Sequence, residues 1–234
     1  MRAPTSERTV LIVGASRGLG LALADEYLKR SWHVIATTRG TARVGLRDLA
    51  DRVGPRLEIE TIDIVETDQI SRLRTRLADR RFDLLFVNAG VTNRVEETIG
   101  EVTTEEFIRV MITNALSPMR VVEALQDLVT PTGTIGVMSS GLGSVADNEF
   151  GRHEVYRASK AALNMLMRSF AARNAFDHRP KVLIAPGWVR TDMGGSNATL
   201  TIDESIPRVV DTIAGQMGKP GLHYLDYRGR TVRW

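Results

Sequence analysis

Short, continuously apolar runs alternate along this chain with longer stretches whose apolar residues recur at helical spacing. Val10-Leu11-Ile12-Val13 runs straight into a glycine cluster and reads as a strand buried on both faces. Residues 19–30 carry an apolar helical face, and residues 33–38 form the next strand. Residues 43–53 are a predicted helix stopped by Gly54-Pro55. A third strand over 57–64 and a charged helix over 67–80 follow. Residues 84–87 are a strand ending at Asn88-Ala89-Gly90. A long helix is expected over 103–129, bent or broken by Pro118. Strands over 134–138, 181–185 and 221–226 and helices over 154–173 and 202–216 complete the pattern.

Seven strands alternating with helices predict an α/β fold, a doubly wound parallel sheet of Rossmann type with helices on both faces. No repeat or low-complexity linker interrupts the alternation, so residues 1–234 are expected to form one domain. The 31 basic and 28 acidic residues are interspersed and leave a net charge of +3, which gives no basic stripe for a nucleic acid. The absence of cysteine excludes disulfides and thiolate metal sites, and the four histidines lack ligand spacing. No apolar run reaches the ~20 residues of a membrane span. The first eight residues lack the apolar core of a signal peptide, so a cytoplasmic protein is expected.

Chemistry concentrates where predicted strands end. Gly14-Ala15-Ser16-Arg17-Gly18-Leu19-Gly20 joins the first strand to the first helix. Glycines there permit a tight turn and let backbone amides approach a pyrophosphate at the positive end of a helix. The second strand ends Ala36-Thr37-Thr38-Arg39, without the carboxylate that holds the ribose hydroxyls of NAD. Arg39, with Arg17 as a second cation, would instead pair with the 2′-phosphate of NADP. Tyr156 and Lys160 are spaced i, i+4 on a predicted helix and project from one face. An ammonium one turn away favours the phenolate, which fits tyrosine to proton exchange with a carbonyl or alcohol. Ser140 follows a strand, where its hydroxyl could donate to a carbonyl oxygen as charge develops.

The G-x-x-x-G-x-G spacing of the first turn resembles the cofactor loop of the short-chain dehydrogenase/reductase family. The resemblance extends from Val10 to Trp234. It is most specific in Pro186-Gly187-Trp188-Val189-Arg190-Thr191-Asp192-Met193-Gly194-Gly195 and in Ser159-Lys160-Ala161-Ala162-Leu163-Asn164-Met165, which look like the C-factor and Sniffer-like carbonyl reductase branch. It implies that Asp63-Ile64 contact the adenine, although Asp63 could equally cap a helix or turn. It implies that Asn88-Ala89-Gly90 lie beside the cofactor, and that Pro186, Gly187, Val189 and Thr191 flank the nicotinamide below a mobile substrate lid. Asn114 matches the family's additional asparagine, holding a helix distortion and a water that leads to Lys160.

In the family the serine commonly precedes the tyrosine by about 13 residues. Ser140 precedes Tyr156 by 16, which a three-residue extension within residues 141–155 would explain. Ser144 is the second candidate and Ser139 the third. The chemistry implied is NADPH-dependent reduction of a ketone or aldehyde, or the reverse on a secondary alcohol. A nucleotide sensor or signalling protein of the same fold, with little turnover, is the alternative. The broad apolar arc of residues 161–170 further suggests helix-to-helix assembly into a homodimer or tetramer. With two arginines and no carboxylate at the second strand, kcat/KM is expected to be at least tenfold higher with NADPH than with NADH, about 1.4 kcal/mol in discrimination. Equal or better efficiency with NADH would refute the cofactor assignment.

Overall fold

The computed structural model describes residues 8–42 and 44–234. All seven strands pair in parallel in the order β3-β2-β1-β4-β5-β6-β7. They are β1 Thr9–Val13, β2 His33–Thr38, β3 Leu57–Thr61, β4 Phe82–Val87, β5 Val129–Met138, β6 Pro180–Ala185 and β7 Gly221–Asp226. The chain builds outward from β1 to β3, then returns to lay β4 on the other side of β1. That reversal opens a crevice at the carboxyl ends of β1 and β4, where α/β sheets bind ligands. The β1–β4 register, from Val10 opposite Leu84 to Val13 opposite Val87, brings the two strand ends level at the crevice.

The helices are α1 Gly18–Lys29, α2 Val44–Val53, α3 Thr67–Arg76, α4 Thr104–Met111, α5 Ser117–Leu125, α6 Glu154–Arg173 and α7 Ile202–Ala214. The core divides accordingly into two layers. Leu11, Ile35, Leu85 and Leu183 point to the α3, α5 and α6 side. Val10, Ile12, Val34, Phe86 and Ile184 point to the α1, α2 and α7 side. Successive strand residues alternate between these layers, so a strand buried on both faces must be apolar throughout.

Several boundaries differ from the sequence reading. The first residue of the helix expected over 43–53 lies outside the described residues, and α2 begins at Val44. The third strand stops at Thr61, because Asp63 turns the chain. α3 ends at Arg76, four residues early. The helix expected over 103–129 gives way after Leu125 to a 3-10 turn, and β5 already starts at Val129. Pro118 neither breaks nor sharply ends this helix. A π-helical turn, Ile112–Leu116, joins α4 to α5, and the backbone remains helical through it. Pro118 has no N–H to return to the carbonyl four residues back, that of Asn114. The widened turn absorbs this loss.

The amino end of β6 is fixed by a compact charge cluster. Asp177 accepts from Arg179 Nε at 2.9 Å and from the Arg179 backbone at 3.0 Å, and the buried Lys181 Nζ lies 3.0 Å from its other oxygen. Burial alone would raise the Asp177 carboxyl, but the bonds from Arg179 and Lys181 outweigh it and hold it at about 2. A depressed carboxyl contributes stability above its unfolded value near 4, and this is lost as pH falls through about 2. Asp177→Asn is therefore expected to lower unfolding free energy by about 2 kcal/mol at neutral pH, with the gap to wild type shrinking below pH 4. Urea denaturation at pH 7 and pH 3 measures this; an equal loss at both would contradict it.

Candidate active site

The glycine turn is shaped by the lack of space around it. A methyl group on Gly14 (φ +91°) would stand 2.7 Å from the Ala89 backbone, and one on Gly20 would stand 2.0 Å from the Gly14 carbonyl. Side chains from neighbouring strands fix the turn further. The Gly14 amide donates to Thr37 Oγ1 at 3.0 Å, and Asn88 Nδ2 donates to the Gly14 carbonyl at 2.8 Å. The Asn88 and Ala89 amides both reach the Val13 carbonyl, so Asn88-Ala89-Gly90 packs directly on the turn. Gly18 (φ +54°) marks the open side: a methyl there would meet only the Thr191 side chain, at 3.8 Å. Ser16 and Leu19 are both partly exposed in the same turn.

The two predicted arginines have different fates. Arg39 is exposed immediately beyond β2. Next to it Thr38 is buried, and its hydroxyl has no hydrogen-bond partner among the described residues. Arg17 instead reaches across the crevice and pairs with Asp192, an acceptor the sequence reading passed over. Asp63 is engaged as a turn-former: its Oδ1 accepts from the Val65 amide at 3.1 Å. Ile64 is buried in the core, so its side chain is not offered to a ligand.

The segment after β6 folds over the turn. Pro186 is buried, and its carbonyl accepts from Ser205 Oγ on α7 at 2.7 Å. Gly187 (φ +84°) leaves no room for a side chain against Leu200. Val189 bridges Leu200, and Thr191 Oγ1 accepts from the Gly194 amide at 3.0 Å. The cluster of small and capped residues explains why this string reads so distinctly in sequence.

At the carboxyl ends of β4 and β5, α6 supplies the candidate catalytic groups. Ser140 begins a 3-10 turn, Gly141–Gly143, and its Oγ accepts from the Leu142 amide at 3.1 Å. The same side chain faces the Tyr156 phenol and lowers its pKa. The other serines are occupied elsewhere. Ser139 Oγ is buried and donates to Asn164 Oδ1 at 2.6 Å. Ser144 Oγ is buried and accepts from the Asp147 amide at 3.0 Å. The longer interval from serine to tyrosine is taken up by the 3-10 turn and the loop of residues 144–153.

Lys160 stands beside Tyr156, one helical turn along α6. Its Nζ lies 5.8 Å from the phenol ring centre and donates to the Met138 carbonyl at 3.0 Å. Burial lowers the Lys160 ammonium to about 8. Burial likewise pushes the Tyr156 phenol up to about 12, and the Ser140 side chain beside it opposes the rise. The protein's own groups thus keep the proton on Tyr156 at neutral pH.

Asn114 lies fully buried in the π turn. Its side-chain amide clasps the Val91 backbone, with Oδ1 accepting from the amide and Nδ2 donating to the carbonyl, both at 2.8 Å. Nδ2 also reaches Ser159 Oγ at 2.9 Å, and Ser159 Oγ donates to the Tyr156 carbonyl at 2.7 Å. Gly90 closes the group, since a methyl there would stand 3.3 Å from Asn114 Oδ1 and 3.5 Å from Lys160 Nζ. Asn114, Ser140, Tyr156, Lys160 and Gly90 therefore converge on one end of the sheet. Sequence reasoning missed Thr37, Ser159 and Tyr224 as supports, since each acts through a fold contact that no local spacing encodes.

Residues 8–201 match the family described as short chain dehydrogenase. A Burkholderia multivorans structure, named as a short-chain dehydrogenase/reductase with bound NADP, is 60% identical, covers 97% of this chain and 100% of its own, and superposes with a TM-score of 0.96. A carbonyl reductase from Pseudomonas aeruginosa PAO1 in complex with NADP is 36% identical, with 97% and 100% coverage and a TM-score of 0.88. The C-signal protein of Myxococcus xanthus is 37% identical over 158 residues, 65% of this chain and 92% of its own length.

Proposed function

The chain belongs to the short-chain dehydrogenase family, and from that premise we propose that it is an NADPH-dependent carbonyl reductase in which Tyr156 is the proton donor. The observation that carries the proposal is the convergence of Ser140, Tyr156 and the buried Lys160 at the crevice edge, with the Ser140 side chain facing the Tyr156 phenol and Lys160 Nζ 5.8 Å from its ring centre. The relatives that bind NADP, 60% and 36% identical, support the cofactor.

The residues present suit that cofactor. Gly18 leaves a gap between the glycine turn and Thr191 that any side chain would fill. The unpartnered Thr38 hydroxyl and the exposed Arg39 stand together at the end of β2, where an adenosine phosphate needs donors. Gly14, Ser16, Arg17, Gly18, Leu19 and Gly20 would hold the diphosphate end. Asn88, Ala89 and Gly90 would border the middle, with Asp63 and Ile64 contributing backbone near the base. Pro186, Gly187, Val189 and Thr191 would flank the nicotinamide end. When bound, NADPH supplies the hydride that the protein cannot.

The protein's own part is to receive and neutralise the oxygen. Ser140 Oγ, held by the Leu142 amide, keeps its proton for the substrate oxygen. Tyr156, still protonated at neutral pH, gives its proton to the same oxygen as negative charge develops. A buried ammonium at Lys160 then favours the phenolate left behind. Asn114 keeps α4, α5 and the Val91 backbone in register with α6, so these groups stay aligned. The substrate is thus a small carbonyl compound, or an alcohol in the reverse direction.

The likeness to C-signal supports a second reading, a nucleotide-binding signalling protein with little turnover. Both readings meet one experiment. Tyr156→Phe is expected to bind NADPH with unchanged affinity and to lose turnover of a carbonyl panel by a hundredfold or more. Full activity in that variant would remove Tyr156 from the mechanism, and a wild-type protein that turns over none of the panel would favour the signalling reading.

Assembly follows from α6 as well. Leu163, Met167 and Phe170 face the core, whereas Met165 and Leu166 are exposed, and Leu166 lines one hollow with Leu116 of the π turn. This apolar strip between α5 and α6 suits a second copy of the chain packed helix to helix. Light scattering is expected to give a multiple of the 25.9 kDa chain mass; a monomer mass at micromolar concentration would rule the assembly out.

A further inference from the structure

Ser140 is held from behind by residues that lie outside the crevice. Tyr224, on the edge strand β7, is buried, and its hydroxyl donates to the Ser140 carbonyl oxygen. The Gly143 amide donates to the same oxygen at 2.9 Å. The Asn164 and Ser139 side chains lie near the Tyr224 hydroxyl and act to lower its pKa. Ser139 Oγ donates to Asn164 Oδ1 at 2.6 Å, and Asn164 Nδ2 donates to the Gly143 carbonyl at 3.2 Å. The Tyr224 ring stands 5.4 Å from that of Trp234, whose carbonyl accepts from the Ala146 amide at 3.0 Å in the loop after the serine turn.

We propose that Tyr224, Asn164 and Ser139 form a positioning network that fixes Ser140 against Tyr156, with the Tyr224 hydroxyl as its central donor. The proposal rests on the carbonyl-reductase reading above.

Three physical points lead to it. Residues 140–143 form a single 3-10 turn, which has too few internal bonds to hold one orientation alone. Asn164 follows Tyr156 and Lys160 at i+8 and i+4 on α6, so the network ties the serine turn to the helix that carries the other two groups. The Tyr224 hydroxyl is also not needed to fill space, because a phenylalanine ring would pack on Trp234 equally well. A buried hydroxyl retained under those conditions must be satisfied by specific partners, and all of its partners here belong to the serine turn or its anchors. Burial raises the Tyr224 phenol, against the opposing influence of the Asn164 and Ser139 side chains, so it remains a donor across the working pH range. Misplacing a reacting group by about 1 Å can cost a hundredfold in rate, which gives such a network its leverage.

The test uses Tyr224→Phe and Ser139→Ala in the full chain. Benzaldehyde reduction is followed through NADPH consumption, benzyl alcohol oxidation as a function of pH, and NADPH affinity by fluorescence. For Tyr224→Phe, kcat is expected to fall about tenfold with NADPH affinity unchanged. The rising limb of the oxidation profile is expected to move to higher pH, because a displaced Ser140 no longer holds the Tyr156 phenol down. Tyr224→Phe added to Ser140→Ala is expected to cost nothing further, since it acts only through Ser140. Unchanged kcat and pH profile would overturn the network, as would a loss that is equal at all pH values and adds fully to Ser140→Ala. Ser139→Ala gives the same decision if the tyrosine variant folds poorly. An inactive Tyr156→Phe beside an unaffected Tyr224→Phe sinks the network alone, whereas an active Tyr156→Phe sinks the reading beneath it.

Discussion

A line of buried polar groups along one face of α6 is what the rest of the site depends on. Ser159, Lys160 and Asn164 lie on a helix whose neighbouring positions Leu163, Met167 and Phe170 enter the core. Polar groups in such a place must each find a partner or cost on the order of 1–3 kcal/mol. Each does so on a different element. Ser159 meets Asn114 of the π turn, Lys160 meets the end of β5, and Asn164 meets the serine turn and Ser139. One helix thereby fixes the π turn against the end of β5 and the serine turn that continues it, and the partly exposed Tyr156 is the point at which they meet the crevice.

The same requirement accounts for the irregular backbone around it. Pro118 withdraws a donor that the Asn114 carbonyl would otherwise receive, and the π turn widens the helix at that point. The Asn114 side chain then turns inward and pairs with the Val91 backbone as a neighbouring strand would. Gly90 and Gly143 complete the fit. Methyl groups on them would crowd Asn114 and Lys160 in one case and Asn164 and the Lys160 backbone in the other.

Much of this was legible in the sequence. Strands buried on both faces read as unbroken apolar runs, so all seven strands and the order of elements follow from the pattern. The glycine turn was legible because only glycine fits there. The serine was harder to choose. Ser139, Ser140 and Ser144 differ in sequence only by position, and the structure separates them by what their hydroxyls touch. Arg17 was read as a cofactor cation, yet it pairs with Asp192, which is 175 residues away. The expected influence of Lys160 on Tyr156 came from helical spacing alone. It omitted burial, which dominates both groups once the core closes around them. The role of Tyr224 was not legible at all, because it depends on β7 closing the sheet beside β6.

Gly143 packs closely on the backbone of α6, and Asn164 and Tyr224 tie the serine turn to the same helix and to the sheet edge. The turn and the helix therefore belong to one cooperative unit, and α6 in turn belongs to the sheet core. The segment of residues 187–200 is different, being held mostly by its own short-range bonds. On heating, that cover can loosen while the candidate catalytic groups keep their arrangement, and those groups come apart only as the domain melts. The arrangement of those groups is thus lost together with the fold, whereas the cover over them can be lost on its own.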